Sequence, residues 1–295
     1  MATVSNLNRN LILGLIEGFS PIIAALGVHA TVIKPGESAL NDIVRVPYSQ
    51  AATSSLSFTY AGGYTGNNGN VQGLPVTMGN ILYQPIQLTD SELSVLDDKA
   101  VVAIGREAGA QLAADAIGNV YSSTVTAANF PNSGSLTATN FTSSNAITAL
   151  DAAVNALKWP RGGSRALICG TSLWQNLLNN PNVIQANNYG DGQVIQEGVL
   201  KSIFGFTPYL TTVAMPNSDT GFAVNPSAIL VGNGYHAPTD QGSQYIAAEQ
   251  IVDDASGWTI GFRNWYNPTL ATNIRIFDVL FGSAAGNTTA LYHIK

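Results

Sequence analysis

The chain has 295 residues, of which 10% are charged, against about 25% in a typical soluble globular protein. Its 18 acidic and 12 basic residues give a formal net charge of −6, which excludes the broad basic surface that drives general nucleic-acid binding by counterion release. At 45% hydrophobic, with 29 glycines and 13 prolines, the composition is neither collagen-like nor disordered, and the length allows a sizeable core in one large or two modest domains.

The single cysteine, Cys169, can form neither an intramolecular disulfide nor a multi-thiolate metal site, so folding in the cytoplasm is the default. Residues 1–45 read as an extended arm with one broken helix: Ser20-Pro21 offers a helix start and Lys34-Pro35-Gly36 a stop. The apolar run Leu11, Ile12, Leu13, Leu15, Ile16 imitates a signal sequence. Glu17, Pro21 and His29 interrupt it, however, so the expectation is an amphipathic arm and no membrane partner.

A hairpin follows. Leu56, Phe58 and Tyr60 alternate with Ser57 and Thr59, the tract Gly62, Gly63, Tyr64, Gly66, Asn67, Asn68, Gly69 supplies the turn, and Val76 to Leu88 returns, with Pro75 and Pro85 marking edges. A long helix is expected from Asp90 to about Tyr121. Thr89 and Glu92 have the spacing of a capping box, and Leu96, Ala100, Ile104, Ala108, Leu112, Ala116 and Val120 form a ridge. The small residues Gly105, Ala108, Gly109, Ala110, Ala113 and Ala114 keep its middle thin enough for close approach.

A second helix is expected over about 145–159, ended by Pro160, then a buried strand Arg165 to Cys169 and a short helix Leu173 to Leu178. Asn179 to Gln196, rich in Asn and Gln, reads as a long exposed loop containing Asn187, Asn188, Tyr189 and Asp191. A short helix at 198–205 precedes strands at 206–210, 228–231, 244–251, 259–262, 272–277 and 290–293, with no internal repeat.

Two stretches carry no charge: Arg45 to Asp90 and Asp115 to Asp151, end residues excepted. Both are polar, rich in Gly, Asn and Thr. Such surface hydrogen-bonds well and repels nothing, which suits protein lying against protein and points to an assembly protein.

Candidates for chemistry are sparse. His29, His236 and His293 share no metal-ligand spacing, and no HExxH or Cys/His cluster exists. Gly170-Thr171-Ser172 lacks the second glycine of a nucleophile elbow, so Ser172 reads as helix capping. The pairs Asp97-Asp98 and Asp253-Asp254 read as a solvated helix turn and a loop turn rather than acid/base or calcium sites. The glycine tract does not open a helix and so does not cradle phosphate. Phe262, Trp265 and Tyr266 near Arg263 read as sheet core rather than a base-stacking platform. No catalytic, cofactor or metal residues are assigned, and the chain does not read as an enzyme.

The order of these elements resembles the major capsid protein family of tailed bacteriophages. Val44-Arg45-Val46-Pro47 looks like the start of that family's E-loop, and Leu88 to Leu93 like the start of its spine helix. Arg165 through Trp174 looks like the first strand and helix of its A-domain, Gly198 to Thr207 and Asn225 to Ile229 like later A-domain steps, and Phe277 to Gly282 like the closing P-domain hairpin. The resemblance implies an α+β fold with an N-terminal arm (1–45), an E-loop hairpin (46–88), a P-domain spine helix and connection (89–143), a mixed α/β A-domain (144–257) and closing P-domain strands (258–295). It further implies copies of the chain in hexamers and pentamers, with the E-loop from about Pro47 to Leu88, its turn 62–69 included, lying over a neighbour and the A-domains, with the loop Asn179 to Gln196 and its residues 187–191, meeting around the capsomer axis. An icosahedral virion shell enclosing double-stranded DNA follows, assembled in the host cytoplasm with a separate scaffolding protein and a portal. One departure stands out: some members cross-link through an E-loop lysine, and none lies between Lys34 and Lys99, so a non-covalent shell is expected. The alternative is a secreted Gly/Thr/Asn-rich surface or adhesin domain, which requires mostly β structure.

Overall fold

The computed structural model describes residues 4–37, 40–49, 71–159, 165–181, 203, 205–237 and 246–295. The first half of the chain forms α1 (Val4–His29), β1 (Thr31–Glu37), β2 (Ile43–Ser49), β3 (Val71–Thr77), β4 (Asn80–Thr89), α2 (Asp90–Val95), α3 (Asp98–Thr124) and α4 (Ser144–Ala156). The second half forms β5 (Ala166–Cys169), α5 (Thr171–Leu178), β6 (Thr207–Leu210), β7 (Gly221–Val224), β8 (Ile229–Tyr235), β9 (Ala247–Val252), β10 (Thr259–Asn267), β11 (Thr272–Ala285) and β12 (Leu291–Ile294).

The N-terminal segment is one continuous helix, not a broken one. Leu7, Leu11, Leu15, Phe19, Ile23 and Leu26 recur at helical spacing and are all buried, so tertiary contact outweighs the helix-breaking tendency of Pro21. Pro21 and Glu17 both lie on the exposed side, where the carbonyl that Pro21 leaves unbonded faces water. By length and composition Asn6–His29 could cross a membrane; here its apolar ridge is spent on the core of the fold.

The long helix is interrupted. Thr89 and Glu92 form the expected capping box and start α2, but Leu96 is extended and Asp97 caps a new helix by accepting the Ala100 N–H at 2.7 Å. A second strong N-cap residue eight positions after the first makes restarting cheaper than continuing. Over its 27 residues α3 spans about 40 Å. The expected ridge holds from Ala108 to Val120, whereas Leu96, Ala100 and Ile104 are only half-buried.

α1 lies directly on α3. Gly14 and Gly18 face the backbone carbonyls of Val102 and Arg106, while Gly105 and Gly109 face those of Leu11 and Leu15. A side chain on any of the four would overlap main chain of the other helix. Arg106 and Glu17 bridge the pair at the surface, 2.7 Å apart, a contact worth well under 1 kcal/mol where both groups face water.

Two sheets carry the rest. The larger has the order β1-β8-β11-β10-β9, with β4 on the other side of β11. The 14-residue β11 is its centre, pairing with β10 and β8 in succession along one edge and with β4 along the other. α1 and α3 cover one face, where Phe19, Trp258, Phe262, Phe277 and Phe281 interlock. Pro85 sits in the outer strand β4, where a missing N–H breaks no ladder.

The smaller sheet, β12-β7-β5-β6, is buried on both faces along β5, β7 and β12, where strands such as Ala-Leu-Ile-Cys read as unbroken apolar runs. Ala166, Ile168, Phe222 and Val224 face the main core, whereas Leu167, Cys169 and Ala223 face α4 and α5. The helix α4 presents Ile147, Leu150 and Val154 to this second core. Strand β7 had no sequence signal, being a four-residue run after a turn. The last strand, grouped in the sequence with 258–295, pairs with β7 in this smaller sheet. Conversely β8 and β9, grouped with 144–257, belong to the larger one. The chain crosses between sheets more often than a linear division can express.

Gly105→Ala and Gly109→Ala should each destabilise the chain by about 1–3 kcal/mol, because a methyl forces the helices apart. Gly27→Ala, on the same pair but with open space around the position, should leave stability unchanged or raise it by up to ~1 kcal/mol. Urea denaturation of the three variants provides the comparison.

Candidate assembly interface

The expected hairpin begins as a two-stranded ribbon of its own. β2 and β3 pair antiparallel from Ile43 opposite Thr77 to Ser49 opposite Val71. Residues 50–70, which hold Gly62, Gly63, Tyr64, Gly66, Asn67, Asn68 and Gly69, lie outside the described residues, as do Asn187, Asn188, Tyr189 and Asp191. The segment 76–88, read as one returning strand, is two: the chain turns at Met78-Gly79, leaves the ribbon and enters the larger sheet as β4.

The ribbon is rooted on the face of the larger sheet opposite the helices. Val46 and Val76 bury against Leu230 of β8, flanked by Ile33, Tyr48, Leu74 and Ala284. Alternation does the sorting: Ile229 and Val231 point to the helical core and Leu230 to the ribbon. Gly232 and Gly282 stand directly opposite each other across β8 and β11 and make a bare patch. A Cβ on Gly282 would overlap the Thr77 carbonyl, and one on Gly232 would lie 2.9 Å from the Met78 sulfur. Met78 fills that patch and is fully buried. Reciprocal bonds, Asn41 N–H to the Met78 carbonyl and Met78 N–H to the Asp42 carbonyl, both 2.8 Å, close the base. Ile43, at that base, and Leu40 just before it are exposed, as is Arg45 on the ribbon itself. The ribbon therefore has a fixed foot.

The remaining candidate side chains have structural partners. Asp97 caps α3, and Asp253 accepts the Ala255 and Ser256 N–H groups and the Ser256 hydroxyl. Ser172 is exposed in the first turn of α5, whose N-cap is Gly170, so it does not cap. Cys169 is buried, which raises its thiol pKa and keeps it protonated. Phe262 is core, Trp265 is half-buried, and Tyr266 is exposed with its hydroxyl donating to Asp90 at 3.0 Å. Arg263 reaches Asp278 at 3.1 Å and the His236 carbonyl at 2.8 Å. Among the described residues no group of three His, Cys, Asp or Glu could hold a metal ion.

Two histidines sit at joints the sequence did not reveal. His293 Nδ1 lies 2.6 Å from the buried Asp219 carboxylate, tying β12 to the turn before β7. His29, at the end of α1, meets the Tyr121 hydroxyl of α3 at 2.8 Å. Tyr121 in turn packs edge-on against Phe222 of the smaller sheet, so this cluster joins both helices to that sheet. Burial lowers the His29 pKa to about 4, partly offset by the Ala25 carbonyl, and raises that of Tyr121. Neither pairing could be found from spacing, since the partners are 92 and 74 residues apart.

The phage capsid protein family matches residues 86–291, more than half of the chain, and the chain belongs to that family. The fold agrees: the Mycobacterium phage Che8 structure superposes with a TM-score of 0.51 at 14% identity, covering 86% of this chain and 84% of that one. The capsid structure of cyanophage P-SCSP1u gives 0.55 at 14% identity over 90% and 85%. The virus-like particle from Pyrococcus furiosus gives 0.54 at 14% identity over 97% and 96%. No curated protein matches the sequence. The protein is thus a major capsid protein with the α+β capsid fold of tailed phages, a structural and non-enzymatic component of the virion. Helices of 26 and 27 residues also contradict the mostly β structure that a secreted surface domain requires.

Gly282→Val should lift the foot of the ribbon while leaving the helical face intact. The expected result is unchanged helical circular dichroism with faster proteolysis between residues 43 and 77. Lowering pH tests His29: its folded pKa lies below the unfolded value, so its contribution is full above about 6.5 and is lost as pH falls toward 4. Between pH 7 and 4 the wild type should lose about 3 kcal/mol more stability than His29→Gln, which keeps a polar partner for Tyr121 but cannot titrate.

Proposed function

We propose that copies of this capsid protein assemble into hexamers and pentamers that close an icosahedral shell around packaged double-stranded DNA. The observation that carries this reading is the ribbon. A two-stranded sheet is marginal alone, yet here it is anchored at one end by Val46, Val76 and Met78 and continues into a tract without charge. A neighbouring subunit supplies the surface that such an element lacks, with Gly62, Gly63, Tyr64, Gly66, Asn67, Asn68 and Gly69 in contact with it. Asn187, Asn188, Tyr189 and Asp191 would meet their copies at the capsomer axis.

The acidic balance fits a container rather than a binder. With a net charge of −6 the shell holds DNA by enclosure, without sequence-specific contacts, and releases it freely. A scaffolding protein and a portal complete the assembly machinery, and assembly takes place in the host cytoplasm.

Expression of the chain with and without its genomic neighbours should yield closed shells or capsomers by electron microscopy; dispersed monomers under both conditions would refute the assembly reading. Since no lysine lies between Lys34 and Lys99, denaturing electrophoresis of purified shells should show monomer only. A ladder of linked subunits would show that covalent joining occurs.

A further inference from the structure

Among the described residues, one buried cation of the larger sheet has two of its donor groups unbonded. Arg275 of β11 is fully buried, on the face of the sheet that α1 and α3 cover. Its Nε donates to the Asn8 side chain of α1 at 2.8 Å, but neither Nη1 nor Nη2 has a hydrogen-bond partner. Directly opposite across the strand pair is Asn264, also buried, with its Oδ1 unpartnered. Which end of that amide faces the guanidinium is an assignment that the bonding partner decides.

The surroundings do not neutralise the charge. In the same row of the sheet stand Ala247, Asn264, Arg275 and Ile86. Asp278, three residues along β11, points to the opposite face and is paired with Arg263; on the neighbouring strands, Glu249 is exposed on the edge strand and Asp90 is committed to the Tyr266 hydroxyl and the Asn273 amide. No ion pair joins any of them to Arg275. Helical side chains lean toward the helix N-terminus, so a guanidinium held by Asn8 lies beside the first turn of α1. That turn has no acidic residue and adds the partial positive charge of its free N–H groups. A guanidinium left bare in such a place costs several kcal/mol, and a buried polar group without a partner calls for a missing one.

We propose that Arg275, Asn264 and the first turns of α1 form a binding site for one small inorganic oxyanion of the phosphate class. The two Nη groups present the parallel fork that suits an oxyanion, with the Asn264 amide turned to donate alongside. The anion pins the N-terminal end of α1 to the sheet, so its release frees that end without disturbing the glycine contact farther along.

The test is a phosphate titration of the full-length chain at constant ionic strength, read by urea denaturation for the wild type, Arg275→Met and Arg275→Lys. Phosphate stabilises folded proteins generally by exclusion, so the readout is the difference from Arg275→Met. Above the dissociation constant, each tenfold increase in phosphate should raise the wild-type folding constant about tenfold relative to Arg275→Met. Arg275→Lys, which keeps the charge and loses the fork, should respond at higher phosphate. Equal phosphate responses in wild type and Arg275→Met would overturn the site, as would a saturable response to chloride alone or Arg275→Met being the more stable protein at every phosphate level. Should Arg275→Met not fold, the same comparison is made with Arg275→Lys, and an unshifted midpoint there overturns it equally.

Discussion

Helix α1 can rest on α3 only because four glycines remove the side chains that would hold their backbones apart. Gly14 and Gly18 on one helix and Gly105 and Gly109 on the other are each four residues apart, one ridge repeat, so both pairs fall on facing ridges and each glycine meets a carbonyl of the opposite helix. That contact turns two long helices into one layer. The layer is what covers the larger sheet, where Phe19 reaches Trp258 and through it Phe281. Without it the apolar ridge from Leu7 to Leu26 would have nowhere to go, and the same residues would make α1 resemble a membrane span.

The opposite face of the sheet repeats the device on a smaller scale. Gly232 and Gly282 form a bare patch on which the turn at Met78 sits, so the ribbon starts at a fixed place and angle. Bulk is removed where an element must dock, and retained where it must fill. An arm with a fixed foot suits the proposed assembly, in which neighbours complete each subunit, and the low charge content of the chain fits the same proposal.

Much of this was legible beforehand. The capping box at Thr89 and Glu92, the ridge from Ala108 to Val120 and the alternation in the strands are local patterns, and they survive folding because each is written within a few residues. The failures are equally instructive. Pro21 reads as a helix start and is overridden by burial of Phe19 and Ile23; Asp97 reads as part of a solvated helix turn and proves to be a second cap. The small residues of α3 were visible as a thin place, but not that α1 would fill it, because complementarity between segments some 90 residues apart leaves no local mark. His29 with Tyr121 and Asp219 with His293 were invisible for the same reason. The two tracts expected to carry assembly contacts, 62–69 and 187–191, lie outside the described residues and stand as part of the proposed function.

Most element types, their order and the two uncharged tracts follow from residue spacing and composition, since these depend on neighbours in the chain. Which strands share a sheet, which helix covers which face and where the ribbon is rooted depend on contacts between distant segments. Tertiary packing alone selects these contacts, by matching bare glycine backbone on one element to main chain or a single large side chain on another.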